Sequence, residues 1–161
     1  MIVVADTSPI NYLLLINQID LLPQLFEQVI IPDVVCDEMR DLDAPPVLQQ
    51  WIADPPSWLM IQPVPIMDTT LNTLDHGEQA AITLAQILPA DLLIIDERLG
   101  RRMAEERGIA IIGTVGVLDA AATLGLVNLA ETLMKLQETN FRVSRHILQT
   151  LLNTEPDPST D

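Results

Sequence analysis

Four carboxylates in this chain stand where their types and spacing could do chemistry. Asp6 ends the apolar run IVVA and Asp96 ends the run LLII. In open α/β sheets, ligands sit outside the carboxyl ends of the strands, which is where both residues fall. Glu38 follows Val34 by four residues on the helix expected after Asp33, so it shares the inward stripe. Glu78 precedes Ala81 and Ile82 by three and four residues in the helical stretch DHGEQAAITLAQIL. Both glutamates therefore lean along a buried side, where an unpartnered carboxylate is costly.

Only Arg40 lies near enough in sequence to pair with the first three of these acids. A divalent cation is the remaining common way to hold several carboxylates together. Oxygen donors without cysteine or clustered histidine suit Mg²⁺ or Mn²⁺ rather than Zn²⁺. Each acid also has a plainer reading. Asp6 and Asp96 would end strands and cap the helix after each, and first-turn placement would let Glu78 answer the helix dipole.

The positive charge is scarce and unevenly placed. Formal net charge is −15, with eight Lys and Arg in total. Up to Glu97 there are fifteen acids and one base, whereas from Arg98 onward there are eight acids and seven bases. Arg98, Arg101 and Arg102 share one helical face directly behind Asp96, where they would grip a phosphodiester backbone without reading bases. The competing arrangement pairs Arg101 with Glu105 and Arg102 with Glu106 at i,i+4 on a solvated helix. Arg142 and Arg145 form a second basic spot with no assigned role.

Size and composition set the frame for these residues. A chain of 161 residues suits one domain, and 48% hydrophobic residues with 19% charged ones describe a globular protein that buries extensively. The acidic balance argues against non-specific nucleic-acid binding. The single Cys36 excludes an internal disulfide and a cysteine-rich zinc site and reads as a small core residue. His76 and His146 stand alone and read as surface or core residues. The start MIVVADTSP lacks a basic leader, and the apolar stretch 109–127 carries Asp119 and several glycines, so a strand and a helix explain it better than a span. A soluble, cytoplasmic protein is expected.

The elements that must position the acids alternate. Strands are expected at 2–5, 28–32, 58–64, 91–95 and 109–112, the third at an edge because prolines bracket it. Helices are expected after Ser8 as N-cap with Pro9 in first place, over DLLPQLF, after Asp33 as cap, over APPVLQQWIAD, over 75–88, and over 98–107. Others run from Thr114 as cap to Gly125 as stop, over 128–138, and over 144–152. The acidic stretch 153–161 is expected to be disordered, leaving 1–152 as the domain. Strands alternating with helices imply a three-layer α/β/α sandwich around a mostly parallel sheet.

VADTSPI, IPDVVCDEM, LDHGEQAAITLA, LLIIDERLGRRMAEERG, IIGTVGVLDAA and FRVS occur in the order seen in PIN-domain proteins, and the sequence resembles that family over about residues 2–152. It looks most like the branch related to VapC-type toxins. The resemblance implies a nuclease whose acidic cluster, carried over as Asp6, Glu38, Glu78 and Asp96, binds Mg²⁺ or Mn²⁺ and cleaves RNA. Glu97 fills a place where an Asp is common and would join the metal ligands. Ser8 and Thr7 would orient Asp6 or a water beside the metal, and Thr114 would support the cluster from behind. The implied partners are RNA, a small antitoxin protein and a second copy of the chain.

Two other classes compete. A PIN-fold module acting through protein partners, with a weak acidic site, is favoured by the charge of −15. A receiver-type phosphoacceptor would need an acidic pair after its first strand and a late-strand lysine, whereas this chain has a single Asp6 and no lysine before Lys135. A haloacid-dehalogenase-type phosphatase would need D-x-D where this chain has DTS.

Overall fold

The structure of the protein is a computed structural model, described here for residues 1–153. Of the tail 153–161 expected to be disordered, Asn153 ends the last helix and 154–161 lie outside the described residues. Five strands, β1 (Val3–Ala5), β2 (Val29–Pro32), β3 (Leu59–Gln62), β4 (Leu92–Ile94) and β5 (Ile111–Ile112), form one sheet in the order β3-β2-β1-β4-β5. Every pairing is parallel. The edge position expected for the third strand holds.

Alternation along each strand feeds two cores, because successive side chains point to opposite faces. Val3, Ala5 and Ile94 join one core, and Val4, Leu93 and Ile95 the other. The first core lies under α1 (Thr7–Leu15), α2 (Leu21–Phe26), α4 (Pro46–Ala53), α7 (Thr114–Thr123) and α8 (Leu129–Gln137). Val35, Cys36 and Met39 of α3 (Asp33–Arg40) also enter it, as expected for Cys36. The second core lies under α5 (His76–Ile87) and Ala104 of α6 (Arg98–Glu106). Layers of helix, sheet and helix result, the expected sandwich. Among the described residues, no helix is long and apolar enough to cross a membrane.

Local chemistry sets the helix ends. After α7, Gly125 takes φ +76° and the Leu126 N–H reaches back to the Ala121 carbonyl at 3.0 Å, the left-handed stop that glycine permits. Three expected caps shift by a residue or two. The strand conformation persists through Asp6, so α1 starts at Thr7 and Ser8 and Pro9 lie inside it. Pro32 takes the cap position of α3, while Asp33 accepts the Val34 N–H from within the first turn. Gly113 precedes α7 and Thr114 is its first residue, free to bond elsewhere. Helix α5 is less amphipathic than its pattern suggests, since Gln79 through Ala85 are all buried.

The chain passes outward from β1 to β2 and β3, then crosses back to lay β4 on the other side of β1. The order reverses between β1 and β4, the place where open α/β sheets open a crevice at their carboxyl edge. Asp6 and Asp96 follow those two strands, and the Asp6 N–H donates to Ile94 O at 3.0 Å. Because α5 leads back into the parallel strand β4, it runs opposite to the strands and brings its N-terminus to the same edge.

Candidate active site

Four expected acids gather at this edge, joined by a fifth, Asp75, that the spacing of the sequence did not single out. Asp6 is 4% exposed, and its side chain makes no cap bond to α1. Burial, with the charges of Asp75, Glu38 and Asp96, pushes its carboxyl up to about 7, offset only in part by the Thr7 backbone.

Glu38 does not point freely into the crevice. Its Oε2 accepts the Thr7 hydroxyl at 2.9 Å, so that hydroxyl serves Glu38 while the Thr7 backbone serves Asp6. Its carboxyl group also lies over Gly77, where a Cβ would come within 2.8 Å of the carboxyl carbon. Burial raises the pKa of Glu38, while the Thr7 hydroxyl and Gly77 backbone lower it. Val34 and Glu38 flank the stripe of Val35, Cys36 and Met39, so both are half-buried rather than central.

Asp75 caps α5, accepting the Glu78 N–H at 2.8 Å. Burial and then the Asp75 charge push the half-buried Glu78 up to about 8, and the two carboxyls hydrogen-bond, which favours a proton on Glu78. The D-x-x-E spacing at the head of α5 is the sequence signal for this pair.

Asp96 is fixed by Thr114, which donates its N–H to Oδ1 at 2.7 Å and its hydroxyl to Oδ2 at 2.6 Å. These bonds, and the charge of Arg101, oppose the upward push of burial on its carboxyl. Gly113 leaves room for the meeting: a Cβ there would lie 2.8 Å from Asp96 Oδ1 and 3.0 Å from Arg101 Nη1. Thr114 thus supports the cluster from behind.

Glu97 caps α6 by accepting the Gly100 N–H at 2.7 Å, and its charge still reaches Glu78. Ser8 is exposed on α1. Arg98, Arg101 and Arg102 line one cavity with Asp96. The i,i+4 pairs with Glu105 and Glu106 do not close; the close ion pair among the described residues joins Arg107 to Asp68 at 3.7 Å.

Oxygen donors alone face the crevice apart from the exposed His76, the donor chemistry of a hard cation. The clustered like charges, with Asp6 buried, are what such a cation would relieve. As the side chains stand, no group of three acids, histidines or cysteines among the described residues converges to hold an ion. Glu38, Asp96 and Asp75 are instead turned onto nearby donors, the Thr7 hydroxyl, Thr114 and the Glu78 N–H.

A family model described as a PIN domain matches residues 2–155. The chain belongs to the PIN-domain family. Its parallel five-stranded sheet between helical layers is the PIN-like sandwich that the sequence implies. PIN domains are usually nucleases and generally bind divalent metal ions. Comparison with curated proteins and with solved structures gave no match.

Proposed function

We propose that this PIN domain is a metal-dependent ribonuclease, the toxin of a toxin–antitoxin pair. The observation that carries the reading is the gathering of Asp6, Glu38, Glu78 and Asp96 at one edge of the sheet, where burial raises the pKa of all four and neighbouring acids add to the rise in Asp6, Glu38 and Glu78. Groups held this way favour a divalent counter-charge.

Asp6, Glu38, Glu78 and Asp96 would hold Mg²⁺ or Mn²⁺, with Glu97 joining if it leaves its cap on α6. What a bound ion supplies is charge on the scissile phosphate and a more acidic water for in-line attack. The chain does the rest. Thr114 fixes the Asp96 carboxylate through both oxygens, and Thr7 fixes Glu38. Glu78, titrating at about 8, holds a proton at its carboxyl that a cation would displace. Arg98, Arg101 and Arg102 set the phosphodiester beside Asp96. The products carry 5′-phosphate and 3′-hydroxyl ends. A small antitoxin protein, a homodimer and a cytoplasmic setting complete the reading.

The second reading is a PIN-fold module acting through protein partners. It draws on the present orientation of Glu38 and Asp96, each tied to a local donor, and on the net charge of −15.

RNA cleavage by purified protein, in Mn²⁺ or Mg²⁺ against EDTA, separates the two when Asp6→Asn and Asp96→Asn are assayed alongside. The nuclease reading expects metal-dependent cutting lost in both variants. Full activity in Asp6→Asn would overturn the site. Cation binding without cutting would leave the module.

A further inference from the structure

Of the fifteen acids that precede Arg98, ten stand outside the cluster of Asp6, Glu38, Asp75, Glu78 and Asp96, and Arg40 is the one base among them. This part of the chain, with a net charge of −14, supplies β1, β2 and β3. Within it, residues 55–67 carry no charge, and Asp54 and Asp68 close the run at its two ends. β3 lies in the middle of that run and forms one edge of the sheet. Met60 and Ile61 are both exposed, and the pleat turns them to opposite faces.

The backbone of this edge is open on its outer side. Val29 donates its N–H to Trp58 O at 3.1 Å, and the register pairs Ile30 with Met60. In a parallel ladder, residues that bond to the neighbouring strand alternate with residues that face away. Trp58, Met60 and Gln62 therefore serve β2, while Leu59 and Ile61 turn outward. The Leu59 N–H returns to Pro56 O at 3.1 Å. The Leu59 carbonyl and both backbone groups of Ile61 are left without a partner among the described residues. Sheet edges are commonly blunted by charge, by proline or by shortness. Here Pro55, Pro56, Pro63 and Pro65 all stand outside β3, so they shorten the edge without closing it. Beyond β3, Ile66 and Met67 line a cavity of about 430 Å³ that Ile87 of α5 shares.

We infer that β3 takes a further strand from a basic protein partner, an extended segment with an uncharged apolar centre and Lys or Arg on both sides. The outward N–H and C=O groups supply main-chain hydrogen bonds, while Met60, Ile61 and the cavity receive apolar side chains, as strand addition requires. Charge decides the occupant. A second copy pairing through the same edge would set two parts of net −14 face to face, which like-charge repulsion opposes. A nucleic acid meets the same repulsion. A basic segment is drawn in, and the exposed Asp54 meets one of its flanks. The edge lies two strands from the crevice between β1 and β4, so the inference stands apart from the nuclease reading. It gives a place and a chemistry to a protein partner, which both functional readings include.

The test is binding of a fluorescent octapeptide, Val-Thr-Ile-Val between two Lys-Arg pairs, and of its twin N-methylated throughout the core. Wild type is expected to bind the peptide below about 1 mM and the twin at least about tenfold more weakly. Amide exchange reads the contact directly. The Ile61 N–H is expected to exchange fast in the free protein and about tenfold more slowly with peptide, whereas the Met60 N–H is slow in both. Ile61→Pro removes an outward donor and leaves the bonds to β2 in place, because position 61 donates none of them. It is expected to weaken binding about fivefold, with Ile61→Val unchanged. Asp54→Asn is expected to weaken binding and flatten its salt dependence, and Asp20→Asn, equally exposed, to do neither.

An Ile61 amide already protected in the free protein would overturn the open edge. So would no binding at about 1 mM peptide, or a twin that binds equally well. Equal effects of Asp54→Asn and Asp20→Asn would reduce the attraction to global charge. A dimer in sedimentation that Ile61→Pro dissociates would give the edge to a second copy, and protection of Ile61 by RNA would give it to nucleic acid. Peptide binding without metal-dependent cleavage would remove the nuclease reading alone. Cleavage with an edge that ignores the peptide would remove this inference alone.

Discussion

The carboxyl group of Glu38 occupies the space that any side chain at residue 77 would need. A Cβ on Gly77 would lie 2.7 Å from Glu38 Oε1, and the Thr7 hydroxyl holds the same carboxylate at 2.9 Å. Three elements of the fold thus meet at one acid: the start of α1, the last turn of α3 and the first turn of α5.

Gly77→Ala probes this meeting directly. The added methyl must swing Glu38 aside, losing its bond to Thr7. A hydrogen bond to a charged group is worth about 1.5–3 kcal/mol, while alanine gains roughly 1 kcal/mol over glycine inside a helix. The net loss is about 0.5–2 kcal/mol, so the thermal midpoint should fall by only a few degrees. Cation affinity should not be spared. Displacing a carboxylate's support costs about 10- to 100-fold at metal sites, and Mn²⁺ titration of the variant measures it. Unchanged Mn²⁺ affinity would remove Glu38 from the metal set.

The acids also set a pH dependence of stability. In the folded protein Asp6 titrates at about 7 and Glu78 at about 8, against ordinary values of 3.8 and 4.5. Between the ordinary and raised values, the folded state binds protons that the unfolded chain has lost. Stability then falls as pH rises. In EDTA the thermal midpoint should be lower at pH 8 than at pH 5.5. Asp6→Asn should raise it at pH 8, by about 2–4 °C for each kcal/mol recovered, and by roughly half as much at pH 5.5, where the unfolded carboxyl is already ionised but the folded one keeps its proton. A midpoint that rises with pH in wild type would contradict the burial of Asp6 as a strained charge.

Thr114→Val separates orientation from shape. Valine keeps the branched Cβ and the N–H bond to Asp96 Oδ1 but removes the 2.6 Å hydroxyl bond to Oδ2. The Asp96 carboxyl, already raised by burial, should climb further because one of its lowering partners is gone. Cleavage should fall about 10- to 100-fold, and Thr114→Ser should restore it. Carbon-13 NMR titration of the carboxyl reads the pKa change independently of activity.

Much of this site is legible in the sequence because two periodicities are enough to expose it. Apolar runs that end in Asp6 and Asp96 give the strand ends, and helical spacing turns Glu38 and Glu78 toward the same edge. What stays hidden depends on single-residue offsets and on long-range contacts. Pro9 suggests Ser8 as the cap, yet extended backbone runs on through Asp6, so Thr7 is the residue that meets Glu38. Thr114 resembles a cap in sequence, but its hydroxyl faces a carboxylate eighteen residues earlier. Glu97 looks like a ligand by position, and its bond to the Gly100 N–H is a local role that the position alone does not reveal. Arg142 has no local pattern that points to α6; only the return of the chain after α8 brings it there.

Asp75 is the acid least visible in the sequence, and it permits the sharpest separation of roles. It caps α5 through the Glu78 N–H, and its charge raises Glu78, Glu38 and Asp6 together. Asp75→Asn keeps a good capping acceptor and removes the charge, whereas Asp75→Ala removes both. The asparagine variant should therefore keep the fold's stability or gain some at pH 8, because three buried or half-buried acids lose a like-charged neighbour. Its Glu78 should titrate lower than in wild type. The alanine variant should lose about 1 kcal/mol of helix capping. Mn²⁺ binding should weaken in both to the same extent, since the cation senses the lost charge and not the cap. If only the alanine variant lost Mn²⁺ affinity, Asp75 would be a helix cap and nothing more.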